Sequence, residues 1–188
     1  MNVYDFDNTI FVPDSTYCFI RYCARHYPRA VLKVIPSSLV QFILYLKAGK
    51  QDAGRLKESL FSFLNRIDNI EEVVLNFWEE YFCRIEDWYL QQKQEDDLII
   101  SASPEFLLQP AAQRLGVRLI ATPMNPYTGK ILGKNCHDTE KTRRYRELYE
   151  TETVHSFYSD SLSDSPMAGM AEEAWIVKDH QCYPWPTA

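Results

Sequence analysis

Apolar positions along this chain keep one spacing up to about residue 94 and a different one after it. Val3 and Tyr4 form a short apolar run that reads as a strand leading into Asp5. From Tyr17 the apolar residues recur at helical spacing, which predicts helices over 17–26, 30–47 and 53–66 and a broken one over 70–92. Asp14, Ser15 and Thr16 offer an N-cap for the first, and joints fall at 49–52 and 68–69. The block is rich in aromatic residues, among them Phe61, Phe77, Trp78 and Trp88, and their spacing reads as core packing.

Beyond Gln94 short strands alternate with helices. A strand over 97–101 leads to a helix over 105–115, with Ser103 as its cap, Pro104 in its first turn and Gly116 closing it. Pro110 should bend or divide that helix. A strand over 117–121, a short hairpin over 123–134, a helix from Glu140 to about Tyr149 and a strand over 154–159 follow. Pro166 opens another helix, 174–177 is a last short strand, and the tail over 178–188 reads as irregular. This alternation predicts an α/β fold, a parallel sheet with helices on both faces. The predicted division is a core of 1–13 and 95–188 with an all-helical insertion of 14–94. Ligands of such sheets sit beyond the carboxyl ends of the strands, where Asp5, Asp7, Ser101 and Asp160 all fall.

Composition narrows the function. With 188 residues, 46% of them hydrophobic, the chain can bury a sizeable core. A net charge of −6 and a pI near 5.3 exclude a nucleic-acid partner, which calls for a basic stripe. Five cysteines without a CxxC pair read as free thiols in a reducing compartment, and Cys136-His137 has no matching pair for a zinc site. The longest apolar stretch, 30–46, is interrupted by Lys33, Pro36, Ser37, Ser38 and Gln41, so it is not a transmembrane segment. No leader is expected before the first strand, and the expected location is cytoplasmic. Arg21, Arg25, Lys47, Lys50 and Arg55 read as solvated helix faces, with binding of acidic head groups as the alternative.

The chemistry lies in Asp5-Phe6-Asp7-Asn8-Thr9. Residues i and i+2 of an extended segment point the same way, so the two carboxylates crowd one volume and repel unless a cation is present. Oxygen ligands suit Mg2+; the alternative is a pair that only caps a turn. Three more parts follow in order: Ser101 at the end of an apolar run, Lys141 at a helix start, and Ser159 to Asp164 at the end of another run. This ordered set resembles the four motifs of the haloacid dehalogenase superfamily of phosphatases. The stretch 133–141 is similar to the subgroup, subfamily IB, that includes phosphoserine phosphatases and a phosphatidylglycerophosphate phosphatase.

The resemblance spans 3–177 and implies a Rossmann-like three-layer core with an inserted helical cap of the C1 type. It implies Asp5 as a nucleophile forming an aspartyl-phosphate, and Asp7 as acid and base. Ser101 and Lys141 would grip the phosphoryl oxygens, with Phe6 and Ala102 sharing that task. Magnesium would be held by Asp5, Asp160 and the backbone carbonyl of Asp7. Asp164 would support the metal or Lys141, and Thr9 would be structural. Lys134 competes for the lysine role. The expected activity is hydrolysis of a small phosphorylated metabolite. A lipid phosphate, an inactive partner-binding protein and phosphoryl transfer to another acceptor stay open. So do peripheral membrane contact and a monomer or weak dimer. The segment 60–63 lacks the arginine expected for a phosphoserine carboxylate.

Overall fold

The computed structural model describes residues 1–48 and 53–186. Its strands are β1 (Val3–Tyr4), β2 (Leu98–Pro104), β3 (Arg118–Thr122), β4 (Val154–Ser159), β5 (Ala171–Lys178) and β6 (Gln181–Pro184). Among the described residues they form a six-stranded sheet in the order β3-β2-β1-β4-β5-β6. Every neighbouring pair is parallel except β5 with β6. The short β1 lies in the middle, with Val3 opposite both Leu98 and Phe157.

Period-two alternation sends side chains to two buried faces. Val3, Leu98, Ile100 and Phe157 meet Tyr145 and Met167 on one side, while Tyr4 and Ile99 turn to the other. The helices are α1 (Ser15–His26), α2 (Pro28–Leu32), α3 (Ile35–Ala48), α4 (Ala53–Phe61), α5 (Ile70–Tyr81), α6 (Asp87–Gln92), α7 (Glu105–Leu115), α8 (Thr139–Leu148) and α9 (Ser165–Ala168). Helices α8 and α9 cover the Val3 face. On the Tyr4 face, Leu107 and Leu108 of α7 share one apolar cluster with Phe19, Phe61, Phe63 and Phe77 from the helices between β1 and β2. Of the aromatic residues of that stretch, Phe61, Phe63, Phe77, Trp78 and Tyr89 are core and Trp88 packs against them, while Tyr17 and Phe42 are exposed. Trp78 also donates its indole N–H to the Leu107 carbonyl at 2.6 Å.

Several expected boundaries shift. The helix over 30–47 is two helices, α2 and α3; 53–66 ends in a 3-10 turn at Ser62–Arg66; and 70–92 breaks at another at Phe82–Arg84. The joint at 49–52 lies outside the described residues. Asp14 does cap α1, accepting from the Tyr17 amide at 2.7 Å. Ser103 does not cap α7, because β2 runs through it to Pro104 and its hydroxyl is used elsewhere. Pro110 does not divide α7; it removes one helical hydrogen bond while Leu107, Leu108, Ala111, Ala112 and Leu115 hold the helix to the core. The tail is not irregular, since Gln181–Pro184 pairs with β5. The hairpin over 123–134 is short, with Met124 bridged to Ile131.

Candidate active site

Three strand ends and one helix start converge at the carboxyl edge of the sheet. Leaving β1, the Asp5 amide still donates to the Tyr158 carbonyl at 2.8 Å. The chain then turns tightly through Asn8, whose φ of 55° is a left-handed conformation that asparagine tolerates. The amides of Thr9, Ile10 and Phe11 all close on the Phe6 carbonyl. Thr9 is buried, and its hydroxyl accepts from the Asp160 amide at 2.9 Å, tying the loop after β1 to the end of β4.

A cavity of about 250 Å³ lies over this edge, lined among others by Asp5, Asp7, Ser101, Ala102, Lys141 and Asp160. Lys141, in the first turn of α8 and 2% exposed, donates to Asp5 Oδ1 at 2.6 Å and to Asp164 Oδ2 at 2.7 Å. Asp164 Oδ2 also accepts from the Ser159 hydroxyl, and its Oδ1 is buried without a partner. Lys134 is exposed and outside the lining, so Lys141 is the lysine that reaches Asp5. Helix α8 is fixed by Arg144, which binds Glu140 and the carbonyls of Ala121 and Lys134.

Asp7 is held separately. Its Oδ1 accepts from the Ser15 amide at 2.6 Å and its Oδ2 from the Ser103 hydroxyl at 2.5 Å. Ser103 also lies 3.1 Å from the Thr16 hydroxyl. The β2–β3 register shifts between Ile100 and Pro104. Side chains take the Ala102 carbonyl in this stretch: Lys57 at 2.6 Å and Thr122 at 2.7 Å, both also bound to Asn135 Oδ1 at 3.0 Å. Ser101 is buried, with its Oγ accepting from the Ser103 amide. Phe6 falls outside the lining. Its ring is packed on Phe11 and Trp78, which leaves only its backbone beside Asp5.

Sequence reasoning missed Ser15, Ser103, Thr122, Asn135 and Lys57. Ser103 had a signal, being two residues after Ser101 on a strand as Asp7 is after Asp5. Lys57 had none. Its helix is braced by the hairpin after β3, where Gly129 (φ 70°) lies so close to Phe61 that a Cβ there would collide with the Phe61 carbonyl. Glu58 accepts from the Ile131 amide across the same contact.

The electrostatics are unbalanced. Five carboxylates, Asp5, Asp7, Asp14, Asp160 and Asp164, face two ammonium groups, Lys57 and Lys141. Burial pushes Asp5 up to about 8 against the pull of Lys141, and Asp164 and Asp7 add to the push. Burial and Asp164 raise Asp160 as well. Burial opposes the charge on Lys141, yet Asp5 and Asp164 outweigh it and hold the group above the usual lysine value. Burial lowers Lys57, with Asp7 and Asp14 opposing.

Excess buried negative charge, oxygen-only donors and the orphaned Asp164 Oδ1 fit a small hard cation. The expected ligand set asks for the carboxylates of Asp5 and Asp160 and the backbone carbonyl of Asp7, and the Asp7 carboxylate is bonded instead to Ser15 and Ser103. Among the described residues no three His, Cys, Asp or Glu side chains form a ready cage, and Cys136 is buried in the core.

A family model described as haloacid dehalogenase-like hydrolase matches residues 3–169. Protein CicA of Caulobacter vibrioides (strain NA1000 / CB15N) is 26% identical over 185 residues, covering 90% of this chain and 82% of that protein. A protein of unknown function from Bordetella pertussis Tohama I superposes with a TM-score of 0.76 at 19% identity, covering 93% of this chain and 87% of that one. A phosphoserine phosphohydrolase-like protein from Francisella tularensis subsp. tularensis SCHU S4 gives a TM-score of 0.58 at 16% identity, covering 96% and 88%. At these identities the two structures speak for the fold.

Proposed function

Because this chain belongs to the haloacid dehalogenase-like hydrolase family, we propose that it is a magnesium-dependent phosphomonoester hydrolase working through an aspartyl-phosphate on Asp5. The observation that carries the reading is the buried Lys141 ammonium placed on Asp5 inside a carboxylate-rich cavity. An isolated structural ion pair has no need of Asp7, Ser101 and Asp160 around it.

Phosphate monoesters resist attack because they are anionic and their leaving alkoxide is poor, so catalysis must neutralise, align and protonate. Asp5 attacks phosphorus in line and takes the phosphoryl group. Asp7, oriented by the Ser15 amide and Ser103 hydroxyl, gives a proton to the leaving oxygen and later takes one from the hydrolytic water. Ser101, Lys141 and the backbone at Phe6 and Ala102 hold the phosphoryl oxygens. Asp164 fixes Lys141, and Thr9 fixes Asp160. Magnesium on Asp5, Asp160 and the Asp7 carbonyl supplies charge neutralisation when bound.

The helical insertion 14–94 serves as the cap, since Lys57 of α4 reaches the cavity. Its ammonium lies three positions before the segment 60–63 that lacks an arginine. The small cavity supports a compact phosphorylated metabolite as substrate. The test is a panel of phosphomonoesters, phosphoserine included, with magnesium and with chelator. Magnesium-dependent release of phosphate from at least one small ester is expected. Turnover of none would favour a vestigial site.

A further inference from the structure

Helix α3 is built inside out. Its inward stripe, spaced i, i+3/i+4 from the preceding Val34, is Ser38, Gln41 and Tyr45, buried or half-buried, and the Ser38 hydroxyl lies 3.3 Å from that of Ser59 on α4. Its outward side is apolar: Ile35, Leu39, Val40, Phe42, Ile43 and Leu46 are between 45% and 64% exposed. Helices of water-soluble proteins carry the opposite polarity. A contiguous apolar face of this kind marks a contact with something apolar.

We propose that α3 docks this protein onto the surface of an anionic lipid bilayer. Length is the first argument. Fourteen residues make a helix of roughly 21 Å, shorter than a hydrocarbon core of about 30 Å. No described helix is long and apolar enough to cross a membrane. Such a helix lies in the interface with its apolar side down.

Charge is the second. Between Ser15 and Gln51 the sequence holds Arg21, Arg25, Arg29, Lys33, Lys47 and Lys50 and no aspartate or glutamate, in a chain whose net charge is −6. Basic residues flank α3 in sequence on both sides, and Arg29 and Lys33 are exposed. That pattern complements anionic head groups. It disfavours a second copy of this chain as occupant. An isologous contact sets the same patch against itself, and basic flanks at both ends would meet in either helix direction.

Docking is independent of the hydrolase reading and can be tested apart from it. The whole protein is sedimented with vesicles of phosphatidylcholine alone and of phosphatidylcholine mixed with phosphatidylglycerol. Binding should favour the mixed vesicles and weaken as salt is raised. The double variant Leu39→Glu/Phe42→Glu changes exposed positions only, so it should keep its melting temperature and its turnover of a small soluble ester. It should lose vesicle binding at least tenfold. Asp5→Asn should bind vesicles as the wild type does. Equal binding of wild type and the glutamate variant would overturn the proposal. So would a dimer, seen by sedimentation velocity and abolished by that variant, in a protein that ignores vesicles.

Discussion

Lys141 Nζ lies 2.6 Å from Asp5 Oδ1, although 136 positions separate the two residues. The pair joins the first strand end to the start of α8, and Asp164 completes it from the loop after β4. Much of the expected behaviour follows from this buried triad.

Asp5→Asn keeps the side-chain volume and removes the attacking oxygen. Turnover in the phosphomonoester panel should fall to background with the far-ultraviolet circular dichroism unchanged. A loss smaller than about tenfold, ~1.4 kcal/mol of barrier, would exclude Asp5 as the nucleophile.

Lys141→Met leaves Asp5 and Asp164 buried without their cation, which should cost about 3–5 kcal/mol of stability. Adding Asp164→Asn should restore much of the loss and none of the activity. Urea unfolding of the two variants separates the structural share of the lysine from its catalytic one. A Lys141→Met protein as stable as the wild type would contradict the burial of Asp5 and Asp164 around the lysine.

Ser103→Ala frees Oδ2 of Asp7. The expected result is a drop in kcat of about tenfold with KM little changed, because an oriented proton donor matters in the transition state more than in binding. Asp7→Asn should cost more, on the order of 10²–10⁴. A Ser103→Ala change felt only in KM would move Ser103 from orienting Asp7 to holding substrate.

Chelation should remove activity and magnesium should restore it. Calcium should do so poorly, since it takes more ligands at longer distances. Asp160→Asn should raise the magnesium concentration needed for half-maximal rate more than it raises KM. Activity that survives exhaustive chelation would remove the metal from the mechanism.

Glu140 gives a pH signature away from the cavity chemistry. The Arg143 hydrogen bond, helped by Arg144 and opposed by burial, holds its carboxyl down at about 2 from an ordinary 4.5. A depressed carboxyl adds stability that is complete above about 4.5 and is lost as the pH falls toward about 2. Glu140→Gln should therefore be less stable than wild type at pH 7, by about 1–2 kcal/mol. The gap should close on acidification below about 4.5. Thermal melts over that range decide it.

The central sheet was legible because β1, β2 and β4 are short apolar runs that carry or lead into residues with chemistry, and strand ends are where such folds gather their ligands. Asp5, Asp7, Ser101 and Asp160 could be placed for that reason, and Lys141 and Asp164 through the ordered motif set they complete. Ser103 carried the same i, i+2 signal, but its place before Pro104 made a helix cap the simpler reading. Strand β6 was hidden because Pro184 and Pro186 resemble a loose tail, while edge strands admit proline. Lys57 is one lysine on a helix, and nothing in helical periodicity says that it meets a bulged strand from another part of the chain. The pattern of α3 gave a helix but not its facing, since periodicity fixes the stripe and packing decides which side turns inward.

The two residues of β1 sit at the centre of the sheet, with partners at Leu98 and Phe157. Neither pairing can form until long loops have closed, and such distant parallel contacts come late in folding. On a ribosome, the helices after Asp14 emerge long before β4 exists. Asp5 would travel through most of synthesis without a fixed position, and hydrolytic competence would arrive only when the last third of the chain closes the sheet around it.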